Sequence, residues 1–158
     1  MSKLNHEFFG VLDTAKDLAG GLENAFSDGI GVLWEKEYNG SIVTLWYDNA
    51  YELKINTLDA FAKLLKNLEE YKKTARLALK EYLKKDDEYI TFHKEELESD
   101  VPADVSEFVE KMQIKSIALW AGEDFIAVDF MIDPEESDEI LCVKFNRSLE
   151  VESIDWES

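Results

Sequence analysis

Two histidines, one cysteine and thirty-five carboxylates are what this 158-residue chain offers for chemistry. His93 is the residue to weigh first. At helical spacing Tyr89, His93 and Glu96 share one face, so an imidazole and a carboxylate could work together there as a metal site or an acid–base pair. Leu97 lies one turn on from His93, which makes the same face partly apolar and favours a buried histidine that anchors its helix by hydrogen bonding. The run His93-Lys94-Glu95-Glu96-Leu97 lacks the second histidine, four residues after the first, of a zinc-binding helix. His6 is the only other imidazole, so any zinc site would have to be rich in carboxylates. Cys142 sits between Leu141 and Val143, with Lys144 on its own side as the one cation able to lower its pKa; a small apolar filler is the simpler reading. Asp133-Pro134-Glu135-Glu136-Ser137-Asp138-Glu139 invites calcium. It lacks the alternating acids, central glycine and terminal glutamate of an EF-hand loop, and a solvated turn is the favoured reading. With so many acids, carboxylate pairs such as Asp129 and Asp133 arise by chance. No glycine-rich phosphate loop or nucleophile elbow is present, and no cofactor is expected.

The charge is placed unevenly. Eight of the 17 basic residues (Lys63, Lys66, Lys72, Lys73, Arg76, Lys80, Lys84, Lys85) lie between positions 63 and 85 with three acids, so that stretch carries +5 and the rest −23. A surface with a net charge of −18 repels nucleic acid and anionic membranes and attracts basic partners. Trp34, Trp46, Trp120 and Trp156 all fall in predicted strands. Trp46 alternates with Val43 and Leu45, and Trp120 with Leu119, so both faces of those strands carry large apolar groups. Either the sheet is covered on both sides, or one face is an aromatic patch for a partner. The residues expected at such an interface are Trp46, Trp120 and Trp156, with the acidic turn residues Asp133, Glu135, Glu136 and Asp138.

The elements that position these groups follow from periodicity. His6 to Leu12 reads as a short strand, and Asp13 to Phe26 as a weak helical pattern interrupted by Gly20-Gly21; the path of residues 10–30 is left open. Ile30, Val32, Trp34 and Tyr38 alternate, Asn39-Gly40 supplies a turn, and Val43, Leu45 and Tyr47 alternate after it, which predicts a hairpin. Asn56 or Thr57 is expected to cap one long helix, with Phe61, Leu64, Leu65, Leu68, Tyr71, Ala75, Ala78, Leu79 and Tyr82 as its core stripe. Asp86-Asp87 caps a shorter helix through His93, and Asp104 or Ser106 another with Phe108 and Val109 inward. Strands follow at about 114–121, 124–132, 138–146 and 149–157, joined by turns too short for anything but antiparallel neighbours. The last breaks parity, and a bulge near Glu152-Ser153 restores it. The expected fold is α+β: an antiparallel sheet, made of a C-terminal four-strand meander and an N-terminal hairpin, with a long central helix and shorter helices packed on it.

Residues 1–158 read as a single domain with ample core material, 46% hydrophobic and 19 aromatic residues. No apolar run is long enough to cross a bilayer, Met1 to Glu7 lacks the apolar stretch of a secretion signal, and a lone cysteine excludes an internal disulfide framework. A cytoplasmic location is the expectation.

Several phrases carry a resemblance to a known group. They are Phe8-Phe9-Gly10, Gly40-Ser41-Ile42-Val43 before a long helix, Tyr89-Ile90-Thr91-Phe92-His93-Lys94-Glu95-Glu96-Leu97, and the ending Asp138 to Phe145 with Ile154-Asp155-Trp156-Glu157-Ser158. From about residue 40 onward the chain resembles a bacterial cytosolic family known as a domain of unknown function, similar in character to immunity proteins that neutralise partner toxins. The resemblance implies no activity. The function expected is therefore that of a non-enzymatic, acidic protein-binding domain with a basic protein partner, toxin neutralisation being one form of it. The alternative is an enzyme or metal-dependent protein built on His93 and nearby carboxylates.

Overall fold

A computed structural model describes residues 3–13, 30–38, 40–48, 52–98, 100–123 and 125–157. The expected helical pattern between Asp13 and Phe26 and the turn residue Asn39 lie outside them. Strands β1 (Lys3–His6) and β2 (Gly10–Asp13) form a small hairpin where one short strand was expected. Gly10 turns back at φ +79, a conformation that costs glycine little. The main sheet has six strands in sequence order: β3 (Ile30–Tyr38), β4 (Ser41–Asp48), β5 (Gln113–Trp120), β6 (Phe125–Met131), β7 (Ile140–Phe145) and β8 (Val151–Glu157). The hairpin at Gly40 and the C-terminal meander are both antiparallel, as expected.

The sheet is mixed, and this corrects the antiparallel expectation. β4 pairs with β5 in parallel, in the register Val43–Ile117, Leu45–Leu119 and Trp46–Trp120. Short turns oblige antiparallel pairing, but the connection from β4 to β5 contains all the helices of the chain's centre. It is easily long enough for a crossover.

The single long helix is also corrected. Helices α1 (Ile55–Lys66) and α2 (Leu68–Lys85) are separate, broken at Asn67 with φ −120 and ψ 37. The Asn67 side-chain amide donates to the Lys63 carbonyl at 2.9 Å. Asparagine disfavours a helix interior for this reason: its side chain competes for backbone partners. The start of α1 also differs from expectation. Lys54 is the cap residue, Thr57 is buried inside the first turn, and Asp59 pairs with His6 at 2.8 Å.

Helix α3 (Glu88–Thr91) runs into a π turn at Phe92–Glu96, and α4 (Val105–Lys111) is capped by Asp104, which accepts from the Glu107 amide at 3.0 Å. The bulge expected in β8 is present: Lys144 pairs with Ser153 and Phe145 with Val151, leaving Glu152 as the extra residue. A second bulge between Val32 and Trp34 was not foreseen. It turns these two residues to opposite faces and buries Leu33.

One core fills the space between the helices and one face of the sheet. Val43, Leu45, Ile117, Leu119, Ile126, Val128, Phe130, Leu141, Val143 and Phe145 meet Leu58, Phe61, Leu64, Leu79, Leu83 and Phe108 there. The two edge strands carry Glu35, Lys36 and Glu37 on β3 and Glu152, Asp155 and Glu157 on β8, charges that discourage edge-to-edge association.

Candidate docking face

The strand alternation that sends ten large residues into the core sends a different set to the other side. The cross-strand registers place these residues in rows. Val32, Trp46, Trp120 and Phe125 form the first. Glu35, Thr44, Ala118, Ala127, Lys144 and Ser153 form the second, and Glu37, Ile42, Ser116, Asp129, Cys142 and Asp155 the third. None of the apolar members of these rows belongs to the core cluster or packs against it. Ile42 is 48% exposed, and Trp46, Trp120 and Phe125 are each partly exposed.

The aromatic row is a stack. The Trp46 and Trp120 rings lie 5.3 Å apart at an interplanar angle of 11°, and Phe125 follows Trp120 at 6.0 Å and 21°. Offset stacking of this kind presents broad π faces and edges that are already ordered. The small side chains of Thr44, Ala118 and Ala127 leave the next row low, and carboxylates stand beyond it. Lys144 shows how this face treats an ammonium group: its Nζ sits 5.7 Å from the Phe125 ring centre and 3.2 Å from Asp155 Oδ2. The hydrogen bond it donates to Asp155 raises the Lys144 pKa. Aromatic faces and carboxylates side by side are the chemistry that recognises lysine and arginine.

Cys142 lies on this face but is 2% exposed. Burial raises its thiol pKa far above the usual range, and neighbouring Asp129 raises it further. It is therefore a protonated filler, not a nucleophile. Asp129, Cys142 and Glu157 have ligand atoms within 4.8 Å of one another, the one such gathering among the described residues. Asp129 accepts from Ser116 Oγ at 3.1 Å as well as interacting with the thiol, so this carboxylate already has partners within the protein.

The sequence-expected site residues separate. Trp46 and Trp120 come together in the stack. Asp133, Glu135, Glu136 and Asp138 lie in the β6–β7 turn, closed by the Asp133 carbonyl accepting from the Glu136 and Ser137 amides. Trp156 is on the opposite, helix-covered face, half-buried against Tyr89 and Phe92, with its Nε1 donating to Glu139 Oε1 at 2.9 Å. Phe125 and Asp155 were not among the residues the sequence offered for chemistry, whereas Lys144 was weighed only as a cation beside Cys142 and Asp129 only as half of a chance carboxylate pair. The odd-numbered alternation of β6 held the signal for Phe125 and Asp129.

His93 is wholly buried, as the reading of a histidine that anchors its helix by hydrogen bonding expected; Glu96 is exposed, so the alternative Tyr89–His93–Glu96 polar cluster does not form. Its Nδ1 meets the Tyr89 carbonyl at 2.8 Å and its Nε2 the Ser137 hydroxyl at 2.8 Å. A carbonyl only accepts, so Nδ1 carries the proton and Nε2 accepts from Ser137. Ser137 Oγ in turn accepts from the Glu139 amide at 3.1 Å, and the Tyr89 phenol donates to the Glu139 carbonyl at 2.7 Å. The order hydroxyl, imidazole, carbonyl has the look of a nucleophile with its base. Ser137 is only 7% exposed, however, and the network pins the acidic turn to the π turn. His6 is held in the other tautomer: its Nδ1 accepts from the Phe8 amide at 3.1 Å, so Nε2 donates to Asp59.

No helix among the described residues is long and apolar enough to cross a membrane. Comparison with family models, curated proteins and solved structures gives no match for this chain.

Proposed function

We propose that the chain is a non-enzymatic, acidic protein-binding domain that docks a basic protein on the face of its sheet opposite the described helices, with toxin neutralisation of the immunity-protein kind as its specific role. The observation that carries this is the Trp46–Trp120–Phe125 stack beside Asp129, Asp155 and Glu157, with Lys144 already held by ring and carboxylate as a partner's cation would be. The net charge of −18 accelerates encounter with a cationic partner, and the aromatic row supplies the apolar contact that holds the complex. The acidic β6–β7 turn adds field at the end of the sheet.

A cytoplasmic site of action agrees with this role. The test is co-purification with the product of the gene immediately upstream, at low and at high ionic strength. A basic toxin that stays bound to wild type at low salt and is released by Trp120→Ala supports the proposal. Equal retention by Trp120→Ala, or an upstream product that does not bind, overturns it.

A further inference from the structure

On the far side of the molecule, α2 and α4 enclose a groove of about 470 Å³ lined by Lys72, Lys73, Arg76, Leu77 and Lys80, with Glu69 and Glu110 at its margins. Four cations against two carboxylates is the reverse of the balance elsewhere on this chain. Lys72, Arg76 and Lys80 stand four residues apart, one above another on the same helix face.

Arg76 distinguishes the groove from an ordinary solvated helix face. Its Nη1 donates to the Val109 carbonyl at 2.6 Å and the Met112 carbonyl at 3.0 Å, capping the end of α4, and its guanidinium lies 5.4 Å from the Phe130 ring centre. The side chain is thereby fixed and half-buried. Capping accounts for Nη1 alone; Nη2 and Nε make no hydrogen bond to any described residue. A guanidinium immobilised by one nitrogen presents its remaining donors in a set geometry, so little rotamer entropy is lost when an anion engages them.

The lysines beside it are lightly held. Lys72 meets Glu69 at 3.4 Å and Lys80 meets Glu110 at 2.8 Å, with both carboxylates more than half exposed. Exposed pairs of this sort exchange partners at little cost. Leu77, 63% exposed, places an apolar surface at the rim.

We infer that this groove is a binding site for a compact organic phosphate, with Arg76 as the fixed fork, Lys72, Lys73 and Lys80 as the surrounding cations, and Leu77 against the organic part of the ligand. Compactness follows from the field. The rest of the chain carries −23, which repels an extended polyanion such as nucleic acid along most of its length, whereas a ligand smaller than the Debye length of about 8 Å experiences mainly the groove.

Titration with tripolyphosphate and with phenyl phosphate, followed calorimetrically and by amide chemical shifts, tests this at physiological ionic strength. Saturable binding with a dissociation constant of about 1 mM or tighter is expected, weakened about tenfold or more in Lys73→Glu, an exposed position that leaves the fold intact. Arg76→Lys, which keeps the charge but not the fork, weakens it as well. Phenyl phosphate binds more tightly than inorganic phosphate, and Leu77→Ser removes that margin. No saturable binding, binding indifferent to Lys73→Glu, or shifts scattered away from α2 and α4 overturns the site.

Discussion

The two faces of the six-stranded sheet are built by the same alternation from residues of different character. On one, Leu45, Leu119, Ile126, Phe130, Leu141 and Val143 disappear beneath helices. On the other, Trp46, Trp120 and Phe125 stack on one another, and the rows beside them turn small and then acidic. Apolar area under helices contributes to folding; partly exposed aromatic area beside charge can contribute to association. The same residue type in the same strand can thus hold the fold or hold a partner, according to which side of the pleat it occupies.

This contrast is open to direct attack. Phe130→Ala on the covered face is expected to cost about 3–5 kcal/mol in urea unfolding, whereas Trp120→Ala on the other face costs well under half as much. Equal losses would mean that the second face is core, and the docking proposal would fall with it. The ranking reverses for association. Trp120→Ala is expected to weaken binding of the basic partner by about 2 kcal/mol or more, roughly thirtyfold, while a core substitution mild enough to fold leaves affinity unchanged.

Between these lies the pin that ties the acidic turn to the helices. His93→Leu removes the acceptor for the buried Ser137 hydroxyl proton and one of the donors to the Tyr89 carbonyl, for a loss of about 1–3 kcal/mol and faster hydrogen exchange in residues 133–139. Native-like exchange there would show that the imidazole does not hold the turn. Cys142 gives a finer reading. With its thiol pKa raised by burial and by Asp129, alkylation at pH about 8 should be slow in the native protein and fast in urea. Ready labelling of the folded chain would mean that this face is looser than described.

The smallest effect concerns Lys144. Its pKa is raised by the hydrogen bond it donates to Asp155, so the pair favours folding below the ordinary lysine range and loses that contribution as pH climbs through the raised value. In Asp155→Asn the lysine should titrate lower, as followed by side-chain NMR; an unchanged titration would remove Lys144 as the example of a held cation.

Much of this was legible in the chain. The meander, the Gly40 hairpin, the bulge in β8 and the capped α4 all follow from patterns spanning a dozen residues or fewer, where turn chemistry and side-chain period act locally. The break at Asn67 has a local physical cause, an asparagine within the helix, but the apolar stripe from Phe61 to Tyr82 runs across it and predicts one continuous helix. The Val32–Trp34 bulge had no comparable signal, because the alternating pattern reads smoothly across it.

Local patterns settled most of the helical and extended segments, and the surplus of carboxylates settled the sign of the surface. They did not settle that β4 lies parallel to β5, because the pairing joins segments separated by every central helix and no turn imposes it. From that one pairing comes the contact of Trp46 with Trp120, since a slip of a single residue would turn one indole to the opposite face. Trp156 and His93 were likewise placed by packing: neither residue's neighbours in the chain specify that one rests against Tyr89 or that the other reaches Ser137. Contacts between distant segments depend on how whole elements fill a shared volume, and that is decided only when the chain is folded.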